Sequence, residues 1–107
     1  MTTEATVLDI LARLVAHDTT SRNPNLALMD EIAAMLATHG VRSRRVPNAD
    51  GTKASLIATI GPAEVPGIVL SGHVDTVPVD GQAWTGDPFR LRRRGERVLA
   101  RGVTDMK

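Results

Sequence analysis

The sequence predicts an α/β fold in which helices pack on a mixed sheet. Two amphipathic segments at the start of the chain have helical spacing, and shorter segments of strand character follow them. One of these, at residues 67–71, contains the continuous apolar run Ile68, Val69 and Leu70, which is typical of a strand buried on both faces. Helices followed by several strands favour an arrangement of helices against a sheet.

The two predicted helices cover residues 4–17 and 26–39. Apolar residues of the first helix recur at intervals of three, four and seven, and Thr2 or Thr3 is positioned to cap its N-terminus. In the second helix, Asn25 is the expected N-cap and Gly40 follows the C-terminus. Each predicted helix therefore has one apolar face that can be buried.

Short strands are predicted on both sides of the apolar run. Residues 41–46 alternate between apolar and polar side chains, and a turn cluster at 47–51 separates them from a strand at 54–60. Residues 89–93 and 97–100 are expected to form two strands around Gly95. Between these groups, residues 72–88 are rich in Gly, Pro, Asp and Thr, which predicts a loop.

Composition restricts the class of protein. The chain has 107 residues, of which 42% are hydrophobic and 23% charged, with a net charge of +1, as expected for a globular domain. The absence of cysteine excludes disulfides, thiolate zinc sites and a cysteine nucleophile within this sequence. No apolar run reaches membrane-spanning length, and no secretory signal begins the sequence, so we expect a cytoplasmic protein without membrane contact.

The most informative residues follow the apolar run. His73 and Asp75 lie two residues apart, so one imidazole nitrogen can bind a metal while the carboxylate holds the other N–H. The alternative is a histidine at a strand end that hydrogen-bonds a nearby carboxylate. Asp105, in a later loop, could bridge two cations through its two oxygens, or could simply be solvated.

Other candidate sites are weaker. His17 and His39 end the predicted helices, where a cation interacts favourably with the helix dipole. An arginine cluster could suggest nucleic acid, but a solvated hairpin explains it and no nucleic-acid-binding motif accompanies it: Arg90, Arg92, Arg93, Arg94, Arg97 and Arg101. No phosphate-binding glycine loop is present.

Three stretches of the sequence resemble the first two metal motifs of the di-zinc aminoacylase and carboxypeptidase family. The stretches are Ser71-Gly72-His73-Val74-Asp75-Thr76-Val77-Pro78, then Trp84 with Asp87-Pro88-Phe89, and Arg101-Gly102-Val103-Thr104-Asp105-Met106-Lys107. The stretch Val79-Asp80-Gly81-Gln82-Ala83-Trp84 favours the bacterial deacetylase branch of the family.

The resemblance implies a role for each matching residue. His73 would bind one metal ion, Asp105 would bridge two, and Asp75 would be the catalytic-site residue that orients His73. The cofactors would be two divalent ions, zinc or alternatively cobalt, and a cis peptide bond would follow Asp105. Residues 1–107 would be the N-terminal portion of a zinc-exopeptidase-like catalytic domain, with the rest of that domain and a lid or dimerisation domain absent.

The implied function is hydrolysis of the amide of a small N-acyl amino acid, in a protein that forms a homodimer and does not bind nucleic acid. A desuccinylase or metallo-dipeptidase with the same chemistry is an open alternative. So is a non-catalytic α/β module, and we expect the 107-residue chain alone to be inactive. We also expect exposed apolar surface and a tendency to aggregate.

Overall fold

The computed structural model describes residues 2–107 and contains two helices and four short strands. This mixture of helices and small antiparallel sheets confirms the predicted α/β class. The chain divides into two compact units, one formed by Met1–Asn23 with Gly72–Lys107 and the other by Pro24–Ser71. The elements are α1 (Thr3–Val15), α2 (Leu26–Thr38), β1 (Ser43–Pro47), β2 (Ala54–Ala58), β3 (Arg92–Arg94) and β4 (Arg97–Leu99).

Helix α1 begins as the sequence predicts. The Thr2 hydroxyl accepts a hydrogen bond from the Ala5 amide at 3.1 Å, and Glu4 places a negative charge in the first turn. Both features stabilise a helix N-terminus, where backbone N–H groups have no helical acceptor. The helix ends at Val15, which is fully buried, two residues earlier than predicted.

In the unit Pro24–Ser71, helix α2 accompanies an antiparallel pair formed by β1 and β2. Leu28, Met29 and Ala54 are its buried apolar residues. Asn25 occupies the N-cap position of α2, as expected, but its side chain makes no capping hydrogen bond. Its side chain instead donates to the Ala54 carbonyl and accepts from the Ala54 amide, both at 2.9 Å, and so joins the helix start to β2.

In the other unit, β3 and β4 form a hairpin that turns at Gly95, as predicted, although β3 is shorter than the predicted strand. A parallel bridge links Thr20 and Thr76, and both threonines are buried. Thr20 follows shortly after the end of α1, and Thr76 follows His73 and Asp75 in the chain. The bridge therefore holds the predicted site residues beside the end of α1.

The predicted buried strand at residues 67–71 does not form. Ile68, Val69 and Leu70 have 89%, 90% and 90% of their surface exposed, and within residues 2–107 no strand pairs with this segment. A strand needs hydrogen-bonding neighbours and covered faces, and the described chain supplies neither here. The expected exposed apolar surface is present, in a segment without regular secondary structure rather than on the face of a sheet.

Every peptide bond between the described residues is trans, so the cis bond expected after Asp105 is absent. No helix within residues 2–107 combines the length and the apolar character needed to cross a membrane.

Candidate functional site

His73 lies between two carboxylates. Its Nδ1 is 3.0 Å from Asp75 Oδ1 and its Nε2 is 2.8 Å from Asp105 Oδ1. The backbone carbonyl of Asp75 is also 3.0 Å from Nδ1. The structure thus brings together the three residues that the sequence singles out, although Asp105 is distant from the other two in the chain. All three side chains are substantially exposed to solvent.

A short segment after α1 holds the His73 loop in place. The Thr76 amide donates to the Thr19 carbonyl, and the Ser21 amide donates to the Thr76 carbonyl, both at 3.1 Å. The Thr19 hydroxyl donates to the Val74 carbonyl at 2.5 Å. Because Thr19, Thr20 and Thr76 are buried, these bonds are shielded from competing water.

The loop that carries Asp105 has its own anchors. Gly102 adopts a φ of +97°, which L side chains rarely adopt, and the Lys107 amide donates to the Gly102 carbonyl at 2.9 Å. The Lys107 ammonium donates to the carbonyls of His17 and Leu14 at 2.7 and 3.3 Å. These carbonyls lie at the C-terminal end of α1, where a cation is favourable. Burial lowers the pKa of Lys107 to about 8.

Ser21 contacts the carboxylate of Asp75. Its hydroxyl donates to Asp75 Oδ2 at 2.6 Å, and this bond, with help from the nearby His73, keeps the pKa of Asp75 below its ordinary value against the effect of burial. On the other side, the hydrogen bond with Asp105, followed by the one with the Asp75 backbone, raises the pKa of His73. Hydrogen bonds and opposite charges therefore stabilise the series of contacts that runs from Ser21 through Asp75 and His73 to Asp105.

The donors suit a divalent metal ion but do not form a complete ligand set. An imidazole nitrogen oriented by one carboxylate, and a second carboxylate at its other nitrogen, match the chemistry of zinc ligation. However, the two carboxylates contact different nitrogens of the ring. Across residues 2–107, no group of three or more His, Cys, Asp or Glu side chains is arranged to hold one ion.

The weaker candidates lie elsewhere. His39 is the C-cap residue of α2, and the His17 carbonyl accepts from Lys107 at the end of α1, so both occupy the helix ends that the sequence predicts. In the arginine cluster, Arg93 pairs with Glu4 and Arg101 lies over Trp84, with its charge 5.4 Å from the ring centroid.

Comparison with known proteins places the His73 and Asp105 loops in a family. Residues 69–107 match the sequence profile of Peptidase family M20/M25/M40. This segment belongs to that family. All three contacting side chains of the candidate site, those of His73, Asp75 and Asp105, lie within the matched residues.

Relatives of the M20/M25/M40 segment extend the similarity along most of the chain. A protein named Acetylornithine deacetylase from Proteus mirabilis is 38% identical over 94 residues, which is 86% of this chain and 24% of the relative. Namesakes from Myxococcus xanthus and Pasteurella multocida are 39% and 34% identical over 91% and 94% of this chain, respectively. They are covered over 26% and 28% of their own lengths, so the chain spans about a quarter of the relatives it matches.

The structural partners of the M20/M25/M40 motifs are not visible in the sequence. No pattern predicts that Ser21 contacts Asp75 or that Lys107 contacts the end of α1. Ser21 and Asp75 are 54 residues apart in the sequence, and Lys107 and His17 are 90 residues apart. No local signal links residues at such separations, so only the folded chain reveals them.

Proposed function

We propose that this chain is part of a metal-dependent amide hydrolase that converts N-acetyl-L-ornithine to L-ornithine and acetate, a step of arginine biosynthesis. The observation that carries the proposal is the contact between His73 and Asp105 inside the segment that belongs to the M20/M25/M40 family. Relatives that align with most of the chain and bear the name Acetylornithine deacetylase support the choice of substrate.

In this proposal, His73 and Asp105 would be ligands of two divalent metal ions, zinc or alternatively cobalt. Such ions supply Lewis acidity, which makes water a stronger nucleophile and polarises an amide carbonyl. Asp75 accepts a hydrogen bond from the Nδ1–H of His73, which would leave the lone pair of Nε2 available to a metal ion. Hydrolysis breaks the amide C–N bond, and water supplies OH to the acyl carbon and a proton to the amine.

The proposal requires groups beyond these 107 residues. A catalytic zinc ion normally takes three ligands from the protein, whereas His73 and Asp105 provide two. A general base is also needed to move the proton of water to the leaving amine. We therefore expect the 107-residue chain alone to be inactive and the complete enzyme, in the cytoplasm as a homodimer, to carry the remaining ligands. Reading the coding DNA past codon 107 tests whether an adjacent pair of glutamates and a later histidine follow.

Substrate identity requires a direct comparison. The complete protein should hydrolyse N-acetyl-L-ornithine with a higher kcat/KM than N-succinyl-diaminopimelate or a dipeptide. Preference for the succinylated substrate or for the dipeptide would reassign the protein to a desuccinylase or a dipeptidase of the same chemistry. Absence of hydrolysis with all three would favour a non-catalytic module.

Substitution of the proposed ligand tests the metal role. His73→Ala in the complete protein should lower both the bound metal per protomer and the rate of hydrolysis, because the imidazole is a proposed ligand. His39→Ala is the matched control, since that histidine ends α2 and belongs to the other unit. Metal content and rate equal to those of the wild type in His73→Ala would refute the assignment.

A further inference from the structure

A cleft lies between the loop at residues 83–85 and the β3–β4 hairpin. Its volume is about 360 Å³, which falls within the range of small-molecule sites. Three successive arginines line it together with an aromatic and an aliphatic side chain: Arg92, Arg93, Arg94, Trp84 and Leu99. None of the residues that line the cleft is acidic.

Arg92, which lines this cleft, has an unpaired donor. Its Nε is buried and has no hydrogen-bond acceptor among the described residues. Its guanidinium lies against Gly86, where a Cβ atom would be 3.0 Å from Nη1, so the absence of a side chain admits it. A buried N–H group without an acceptor is unfavourable, so this arginine of the cleft wall is incompletely paired within the described chain.

The neighbouring arginines are not equivalent to Arg92. Arg93 is already engaged, because it donates to Glu4 and to the Gly95 carbonyl, each at 3.1 Å. Arg94 is exposed and lines the cleft. Strand β3 thus offers positive charge that its ion pair with Glu4 only partly neutralises.

Trp84 is held in position beside these donors. Its indole N–H donates to Gln82 Oε1 at 3.0 Å, and the Arg101 guanidinium lies 5.4 Å from the ring centroid while also donating to Gln82. The Arg101 Nε is a second buried donor with no acceptor among the described residues. An ordered ring beside guanidinium groups provides apolar contact for the body of an anionic ligand.

We propose that this cleft binds a small organic oxyanion, a molecule with a carboxylate or phosphate group and an apolar body. Arg92 and Arg94 pair with the oxyanion, since guanidinium groups match the geometry of both carboxylate and phosphate. Trp84 and Leu99 contact the apolar body. An exposed arginine run by itself is ordinary solvated surface, and the distinguishing features here are the unpaired buried donor of Arg92 and the aromatic wall. The site shares no residue with the proposed metal site and does not depend on the proposed hydrolysis.

The chain contains a single tryptophan, so Trp84 fluorescence reports on the cleft directly. Phenyl phosphate and benzoate, titrated into the 107-residue chain at constant ionic strength, should each change the fluorescence with saturation, and inorganic phosphate should bind more weakly because it lacks the apolar body. The tighter of the two aromatic probes identifies the preferred oxyanion. Arg92→Gln should weaken binding on the order of tenfold, because it removes a charged hydrogen-bond donor.

Arg97→Gln is the matched control, because Arg97 is in the same hairpin and carries the same charge but does not line the cleft. It should weaken binding by less than about twofold, as expected for a screened surface charge. If circular dichroism shows that Arg92→Gln does not fold, Arg94→Gln is titrated in its place and should likewise weaken binding on the order of tenfold.

Three outcomes would overturn the proposal. One is a wild-type titration that does not saturate with either aromatic probe. Another is equal weakening by Arg97→Gln and by the cleft variant, which would indicate diffuse attraction by the whole hairpin. The third is preferential, strongly salt-dependent binding of a single-stranded oligonucleotide, with both variants equally affected, which would indicate a polyanion surface.

Discussion

Asp18 and Asp50 each lie two residues before a threonine and make the same pair of contacts with it. The threonine amide donates to the carboxylate at 3.0 Å and the hydroxyl at 2.6 Å in both cases. Partial burial acts to raise the pKa of Asp18, but the hydrogen bonds from Thr20 and Asn23 outweigh it and hold the pKa below its ordinary value. At Asp50, the hydroxyl of Thr52 lowers the pKa.

The lowered pKa of Asp18 predicts how stability depends on pH. The ionised carboxylate stabilises the folded chain above its unfolded pKa of about 3.9, and this contribution is lost as the pH falls through the folded pKa. Asp18→Asn keeps an oxygen acceptor but does not titrate, so its free energy of unfolding should fall less steeply below about pH 4. Urea unfolding at a series of pH values measures this slope.

Asp50→Asn is the control for this measurement, because it makes the same change in an exposed turn where solvent screens the charge. Its effect on the slope should be smaller. If the free energy of unfolding of Asp18→Asn falls as steeply below about pH 4 as that of the wild type, the prediction is contradicted.

The bond from Ser21 to Asp75 predicts an effect on metal affinity, on the basis of the proposed function. Ser21→Ala removes a donor 2.6 Å from the carboxylate that orients His73. Loss of such a supporting contact typically lowers metal affinity by about 10–100-fold. Zinc titration of the complete protein with a competing chelator measures the change, and the exposed Ser55 provides the control Ser55→Ala. Equal zinc affinity in Ser21→Ala and Ser55→Ala would exclude a supporting role.

At the scale of elements, the C-terminal end of α1 supports both loops of the candidate site. The segment that follows it pairs with Val74 and Thr76 next to His73 and Asp75. The carbonyls at this helix end accept hydrogen bonds from the ammonium group of Lys107, which lies two residues after Asp105. One helix end therefore fixes two loops that lie far apart in the sequence.

Gly102 predicts the cost of disturbing the Asp105 loop. A Cβ atom there would approach Thr76 Cγ2 and Lys107 Cδ at 3.1 Å, in addition to the strain of a φ of +97°. Gly102→Ala should lower the free energy of unfolding by about 2 kcal/mol or more. Chemical denaturation measures the difference.

Gly81→Ala separates the two causes. Gly81 has a φ of +72°, but a Cβ atom added there would meet no other atom within 4 Å, so the substitution should cost about 1 kcal/mol from strain alone. Equal destabilisation by the two substitutions would show that the contacts with Thr76 and Lys107 are unimportant.

At the scale of the whole molecule, one stretch of the chain exposes several large apolar side chains. Val65, Ile68, Val69 and Leu70 are all largely exposed within residues 65–70, which form neither helix nor strand. Exposed apolar segments of strand character favour association between chains. The two sheets are also small, with two strands each, so little of this chain's β-structure is covered.

We therefore predict that the 107-residue chain self-associates as its concentration rises, and that Val69→Lys reduces this association by placing a charge in the apolar stretch. Size-exclusion chromatography with light scattering measures the mass distribution. Val7→Lys is the control, since Val7 is an exposed valine on α1 outside the stretch. A monodisperse monomer at every concentration would contradict the prediction.

Local features of the fold were predictable because short-range interactions determine them. The Thr2 cap, the turns at Gly40 and Gly95 and the two hairpins depend on residues only a few positions apart. The prediction for residues 67–71 was wrong for the opposite reason. Their composition favours a strand, but a strand forms only when other strands pair with it.

The sequence by itself determined the α/β class, the helices and hairpins, and the choice of His73, Asp75 and Asp105 as candidate residues. Only the tertiary structure decided that these three side chains touch, that Ser21 supports Asp75, and that Lys107 anchors the last loop to α1. The physical reason is separation along the chain. Capping, turn formation and periodicity act over a few residues, whereas a site built from distant loops exists only after the backbone has brought them together.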